Sequence, residues 1–239
     1  MAHILLSLVD KYFKEESNLN KYKIKFSKIG RIKFIGHLDL LKVFQRSIVR
    51  AGLPIQYSQG FNPHQKTTFA LPLSLGMESV GEYLEIELAQ FMDAKVVCES
   101  LNRVMPKGIT IDTVTHMKEK CSSVAAQVNA GLYEITFGNV NNLQSSINSM
   151  MNETEIVVTK KSKKGEKQAN IRPDIYEMEC VSDSTAKILI ATGSQNNLNP
   201  RIVVKELLNQ MEMDNTEVQC KRLDLLCKVN DNFVSLQEI

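Results

Sequence analysis

The stretch KYKIKFSKIGRIKFIGHLDLLKVFQRSIVRAGLP, Lys21–Pro54, changes its hydrophobic period half-way along, and that change decides the fold. From Lys21 to Phe26 apolar and basic residues alternate, with Tyr22, Ile24 and Phe26 on one side and Lys21, Lys23 and Lys25 on the other. A period of two belongs to a strand buried on one face, here with a basic outer face. Gly30–Arg31 is expected to turn or bulge the strand, after which Ile32 and Phe34 resume the inward set. From His37 the period lengthens. Leu38, Leu41, Phe44 or Gln45, and Ile48 then share the buried face of a helix over His37–Ala51. Gly52 supplies a C-terminal stop and Pro54 forbids continuation. Lys42, Arg46 and Arg50 recur every fourth residue and form one positive ridge on that helix.

Working outward, Pro54–Ser58, Thr67–Pro72 and Gly81–Leu88 read as strands, Phe91–Met105 as a helix and Ile109–Val114 as a last strand. The order strand, helix, strand, strand, helix, strand is that of a ferredoxin-like plait. Beyond a Ser/Ala-rich connector the same order returns. Leu132–Phe137 is a strand and Val140–Met151 a helix, while Glu155–Lys161 and Ile175–Val181 flank a lysine-rich loop. Ala186–Ala191 is a strand, Pro200–Met211 a helix with proline at its start, and Val218–Val229 a closing strand. The fold class expected is α+β, with two tandem ferredoxin-like (βαββαβ) modules and an N-terminal helical extension. Its boundaries are an extension over 1–20, a first module over 21–117, a connector over 118–130 and a second module over 131–239.

The 239 residues are 43% hydrophobic and 23% charged, an ordinary balance for a globular chain with room for two cores. No apolar run reaches the length of a membrane span. The early ILLSLV run lacks a basic lead and ends at Asp10, so a secretory leader is not expected and the cytoplasm is the expected location. Five scattered cysteines include no CxxC or CxxxCxxC spacing, so reduced thiols are expected and neither an iron–sulfur nor a zinc site. GxxxxGK[ST], GxGxxG and HExxH motifs are also absent.

Charge is distributed unevenly. Between Lys21 and Thr68 ten lysines and arginines face a single acid, Asp39, which suggests a surface for a polyanion or another acidic partner. The competing reading is a solvated face offset by the acids of Glu78–Glu87. His37 stands where strand gives way to helix, a place that favours an anion such as phosphate, and it could donate to one or act in acid–base chemistry. SQGFNPH (58–64) is a turn by composition, bringing Gln59, Phe61, Asn62 and His64 to one rim with Tyr57 and Lys66. Phe61 and Tyr57 could stack on a base. Those residues, together with His37, Lys42, Arg46 and Arg50, are the candidate substrate-binding set, and Arg172 is a further phosphate contact. KKSKKGEK (160–167) reads as a solvated hairpin tip, with a phosphate-contacting loop as the alternative. GSQNNLNP (193–200) reads as a polar turn that caps the last helix through Asn199.

The segment Phe34–Leu88, with its GHLDL, YSQGFNPH and ALPLSLG blocks, resembles the signature of the radical SAM-linked protein family. That family is a bacterial domain fused behind, or encoded beside, a B12-type radical SAM protein. The likeness covers most of 21–115, and NIRPDI (170–175) resembles the family's more variable C-terminal half. It implies a companion of a separate radical SAM enzyme, with the iron–sulfur cluster, S-adenosylmethionine and cobalamin on that partner and no cofactor in this chain. It also implies RNA as substrate, because such genes lie near RNA-processing or ribosomal genes. The expected function is an accessory, non-catalytic, RNA-binding module. Two other readings stay open. One is a metal-independent endoribonuclease by analogy of fold, with His37 as general base, Tyr57 orienting the hydroxyl and Lys66 stabilising the phosphorane. The other is a subunit that only docks onto protein.

Overall fold

A computed structural model describes residues 20–117, 121–162, 165–213 and 216–239, and of 160–162 the backbone alone. The expected N-terminal helical extension lies outside the described residues. No helix among them is long and apolar enough to cross a membrane.

Strand β1 (Asn20–Lys28) buries Tyr22, Ile24 and Phe26 completely, as its alternation requires. It does not resume after the glycine. Gly30–Phe34 wind into a 3-10 turn that Gly30 enters at φ +70°, and Phe34 is thrown outward, 65% exposed, instead of rejoining the inward set. Helix α1 (His37–Arg50) buries Leu40, Phe44, Ser47 and Ile48, positions that fall on one helical stripe. Leu38 was expected on that stripe but sits off it, 69% exposed. Pro54–Ser58 is not a strand and makes only isolated bridges, Ile55 to Leu88 and Tyr57 to Gln65.

The chain continues through β2 (Thr67–Phe69), β3 (Glu78–Leu88), α2 (Ala94–Asn102) and β4 (Ile109–His116). The expected connector carries a short helix, α3 (Val124–Gln127). After it come β5 (Ala130–Phe137), α4 (Leu143–Asn152), β6 (Val157–Ser162) and β7 (Gly165–Asn170). Strands β8 (Ile175–Ser182) and β9 (Thr185–Ala191), helix α5 (Pro200–Gln210), β10 (Val218–Val229) and β11 (Asn232–Ser235) complete it. Of the lysine-rich stretch, residues 160–162 belong to β6 and 165–167 to β7, with Lys160 opposite Lys167, and 163–164 lie outside the described residues.

The architecture is mixed α+β: one large, mostly antiparallel sheet with five α-helices among the described residues. Its strand order is β4-β1-β3-β10-β5-β9-β8, with β2 added to β3 and β11 to β10. The pairing of β10 with β3 is parallel and extends over only two residue pairs. One core gathers α1 and α2 against β1, β3 and β4, and a second gathers α4 and α5 against β5 and β9. A third, smaller cluster sets Tyr83 among Met117, Val124, Val128, Leu225 and Leu236.

That third cluster accompanies a correction to the expected basic outer face of β1. Lys23 is buried and donates to the carbonyls of Leu236 and Ile239. Lys25 meets Asp224 at 3.2 Å, and Lys21 meets Glu85 at 3.3 Å. Lys28 is buried too, donating to Ile35 O at 3.0 Å and Lys33 O at 3.4 Å. Burial lowers the pKa of both Lys23 and Lys28. The strand's cations are thus held within the molecule.

Candidate functional site

Residues 54–66 fold back on themselves and are tied to the end of β3. Gln56 N donates to Glu87 O at 2.8 Å and Ala89 N to Pro54 O at 2.7 Å. The two arms are joined by Lys66 N to Gln56 O and Ser58 N to His64 O, both 2.8 Å. The tip is Gln59–Pro63, turned by Gly60 at φ +122°, a left-handed value that suits glycine. Phe61 stands fully exposed there. An aromatic ring left in water forgoes about 1.5–3 kcal/mol of burial, so its position invites a partner.

Side chains on the arms are less free. Ser58 Oγ accepts the backbone N–H of His64 at 3.1 Å and lies 2.8 Å from its Nδ1. Lys66 Nζ donates to Gln56 Oε1 at 2.7 Å and Glu87 Oε1 at 3.1 Å, so its charge is already countered. Gln65 turns inward. Its Nε2 donates to the backbone carbonyl of Gln45 at 3.2 Å and lies 3.5 Å from Tyr57 Oη, while its Oε1 is buried with no hydrogen-bond partner among the described residues.

Helix α1 presents the ridge as its period requires, with Lys42, Arg46 and Arg50 all exposed. Lys42 pairs with Asp39 at 3.5 Å, but both are largely in water and such a pair stabilises little. Arg46 has no ion-pair partner among the described residues. Arg50 is oriented by Ser47 Oγ at 3.1 Å and Val104 O at 2.9 Å. Between this ridge and the turn after α2 lies an open groove of about 580 Å³, lined by Val43, Gln45, Arg46, Val49, Arg50, Gln65 and Pro106.

Tyr57, Gln59, Phe61, Asn62, His64 and Lys66 therefore share one folded-back loop, and Gln65 links it to the middle of α1. His37 is elsewhere. It opens α1 behind Gly36, which offers no side-chain cap, and its ring meets Phe69 edge-on at 5.3 Å. Gln45, where the loop attaches, lies eight residues further along the helix, about 12 Å of axial rise. Among the described residues no hydrogen bond or ring contact joins His37 to Tyr57 or Lys66: the His37 ring meets Phe69, Tyr57 Oη lies by Gln65, and Lys66 pairs with Gln56 and Glu87. Arg172 belongs to the other half of the sheet and holds backbone there, donating to Met151 O, Glu153 O and Ile175 O at 2.9–3.2 Å. Gln65 had no sequence signal: a lone glutamine in a polar turn reads as solvated. Among the described residues no group of three or more His, Cys, Asp or Glu could hold a metal ion, and all five cysteines are free thiols.

A family model described as an uncharacterised protein conserved in bacteria (DUF2344) matches residues 21–200. The chain belongs to that family. The DUF2344 match begins in β1 and ends at the first residue of α5, so it takes in the ridge, the folded-back loop and most of the second half. No curated protein matches the sequence. Among solved structures, an unknown protein from Galdieria sulphuraria aligns with 85% of this chain and 98% of its own at 10% identity and a TM-score of 0.23, a likeness that carries no argument.

Proposed function

We propose that this DUF2344 chain is a non-catalytic binding module that holds RNA for a separate radical SAM enzyme, the partner supplying the iron–sulfur cluster, S-adenosylmethionine and cobalamin. The observation carrying the RNA part is the outward ridge of Lys42, Arg46 and Arg50 beside a loop with a fully exposed Phe61. Cations on a helix face attract phosphates, and an aromatic ring in water offers a base something to stack on. The inward pairing of Lys21, Lys23, Lys25 and Lys28 restricts the proposed surface to α1 and the loop. The GHLDL and YSQGFNPH blocks, which carry the resemblance to radical SAM-linked proteins, lie in those same two elements, and this supports the partner.

We read each half as a ferredoxin-like unit. Setting aside the separate hairpin β6–β7 and the added strand β11, and numbering the remaining strands within each half, β4-β1-β3 with β2 beyond β3, and β10-β5-β9-β8, both run four-one-three-two, which supports that reading.

The test is a filter-binding titration of single-stranded RNA against salt. The parent protein should bind at low salt with an affinity that falls steeply as salt rises. Changing Lys42, Arg46 and Arg50 together to alanine should flatten the log–log slope by about 2, at roughly 0.7 per lost phosphate contact. Absence of RNA affinity at low salt, or a slope untouched by the triple change, overturns the proposal.

A further inference from the structure

We infer that the RNA taken by this surface is single-stranded, with one unpaired base lying in the groove between α1 and the turn after α2; this rests on the RNA-binding reading above and adds the class of RNA to it. Three observations carry it. The cations of α1 run in one file, Lys42, Arg46 and Arg50, each about 6 Å of axial rise from the next. An apolar residue interrupts that file: Val49 stands between Arg46 and Arg50 and is 58% exposed. Finally, the groove of about 580 Å³ is lined by Val43, Val49 and Pro106 together with both arginines.

Each feature suits a strand better than a duplex. An RNA duplex turns its bases inward and meets proteins through sugars and phosphates on both backbones. This surface offers one row of cations only, because Lys21, Lys23, Lys25 and Lys28 are engaged within the molecule. Apolar side chains gain nothing against a phosphate, whereas the flat face of an unpaired base can cover Val43, Val49 and Pro106 and take them out of water. The flanking phosphates then fall to the arginines. Arg46 has no ion-pair partner among the described residues, and the Arg50 guanidinium is steadied by Ser47 Oγ and Val104 O with donors left over. Phe61, fully exposed at the loop tip, is a second platform that only an unpaired base can use.

Filter binding of oligo(U), and of the same oligo(U) annealed to oligo(A), to the full chain at one low salt concentration tests this. The single strand is expected to bind about tenfold tighter than the duplex, the scale of one base contact, although the duplex carries more phosphates. Val49→Asn, a change without charge at an exposed position, should narrow that preference to less than about threefold, whereas Lys42→Ala should weaken both ligands and keep it. Should Val49→Asn fail to fold, competition on the unmodified protein decides: an abasic ribose–phosphate strand of equal length should displace bound oligo(U) about tenfold less effectively than free oligo(U) does. A duplex bound as tightly as the strand, a preference that survives Val49→Asn in a folded variant, or an abasic strand that competes as well as oligo(U) overturns the base-binding groove and leaves the RNA reading standing. No binding of strand or duplex at low salt, including the case where only a protein partner is captured, overturns both.

Discussion

Arg222 Nη1 lies 2.9 and 3.1 Å from the two oxygens of Glu82, with both side chains sealed from water. Its Nε reaches Tyr133 Oη at 3.2 Å, and the guanidinium sits over the same ring at 5.4 Å. Burial alone would lower the guanidinium pKa, but Glu82 and Tyr133 outweigh it and the net shift is upward. Glu82→Ala strands a buried charge and should cost about 3–5 kcal/mol, seen as a fall in the denaturant midpoint. Replacing both partners with Leu and Met leaves no charge unpaired and should cost less; an equal loss would mean that the intact pair itself, and not the stranded charge, carries the stability. Next to Glu82, a Cβ on Gly81 would lie 2.3 Å from Leu223 O and 2.5 Å from Asp224 Cα, so glycine is what lets β10 come this close. Nearby, burial pushes the Cys220 thiol up to about 12, with Arg222 and Arg201 pulling it down. Between pH 9 and about 12 the unfolded chain loses a proton that the folded chain retains, so stability falls as pH rises through that window. Lys23 and Lys28, lowered by burial, contribute a slope of opposite sign up to the ordinary lysine value. The clean measurement is therefore a difference: Cys220→Ala should show a shallower alkaline decline in urea midpoint than the parent. Little of this was legible in sequence. Glu82 stands in an acidic run that reads as solvent-facing counter-charge, and nothing local marks it as buried.

Elements with a strong, uninterrupted period were the legible ones. β1, α1, β3 and β10 form where alternation or helical spacing places them, since a whole face of apolar residues outweighs any single position. Short pieces held by tertiary contacts were not. Gly30–Phe34 continues the β pattern in letters but turns at a glycine, and β11 is four residues recruited by β10. Partners across the sheet were equally hidden, being set by register between distant segments. Register creates a row of alternating charge: Glu179 opposite Lys187, Lys187 opposite Glu134, Glu134 opposite Lys221, and Lys221 opposite Glu78. Five strands thus carry acid and base in turn, a pattern that offers a polyanion no net attraction and keeps the proposed RNA surface on the helical side. Lys187→Glu would set three carboxylates in line. It should destabilise by about 1 kcal/mol, more at low ionic strength than at high, as denaturation at two salt concentrations would show. A loss independent of salt would mean that the row acts through packing instead.

At the scale of the whole molecule, the first and second halves of the described chain share one sheet, and the question is whether they behave as one body. The backbone joint is slight, two residue pairs between β10 and β3. Side chains make up the difference: Glu82 with Arg222, Lys25 with Asp224, Tyr83 Oη with Asp224 Oδ1 at 2.7 Å, and Lys23 with the carbonyls near the end of the described chain. The third cluster adds apolar contact, since Tyr83 from the first half packs among Leu225 and Leu236 from the second. Burial pushes the Tyr83 hydroxyl pKa upward, as befits a group shut away between the halves. If residues 20–117 were separated from the remainder, Glu82 and Lys23 would lose their partners and Tyr83 its cover. The halves should therefore unfold together. Tyrosine near-UV dichroism, reporting the junction, and far-UV dichroism, reporting the helices, should give one coincident urea transition in the full chain. A fragment over 20–117 should show no sharp transition of its own. Two separated transitions, or a fragment as resistant to urea as the parent, would show that each half carries its own stability and that the buried contacts between them add only alignment.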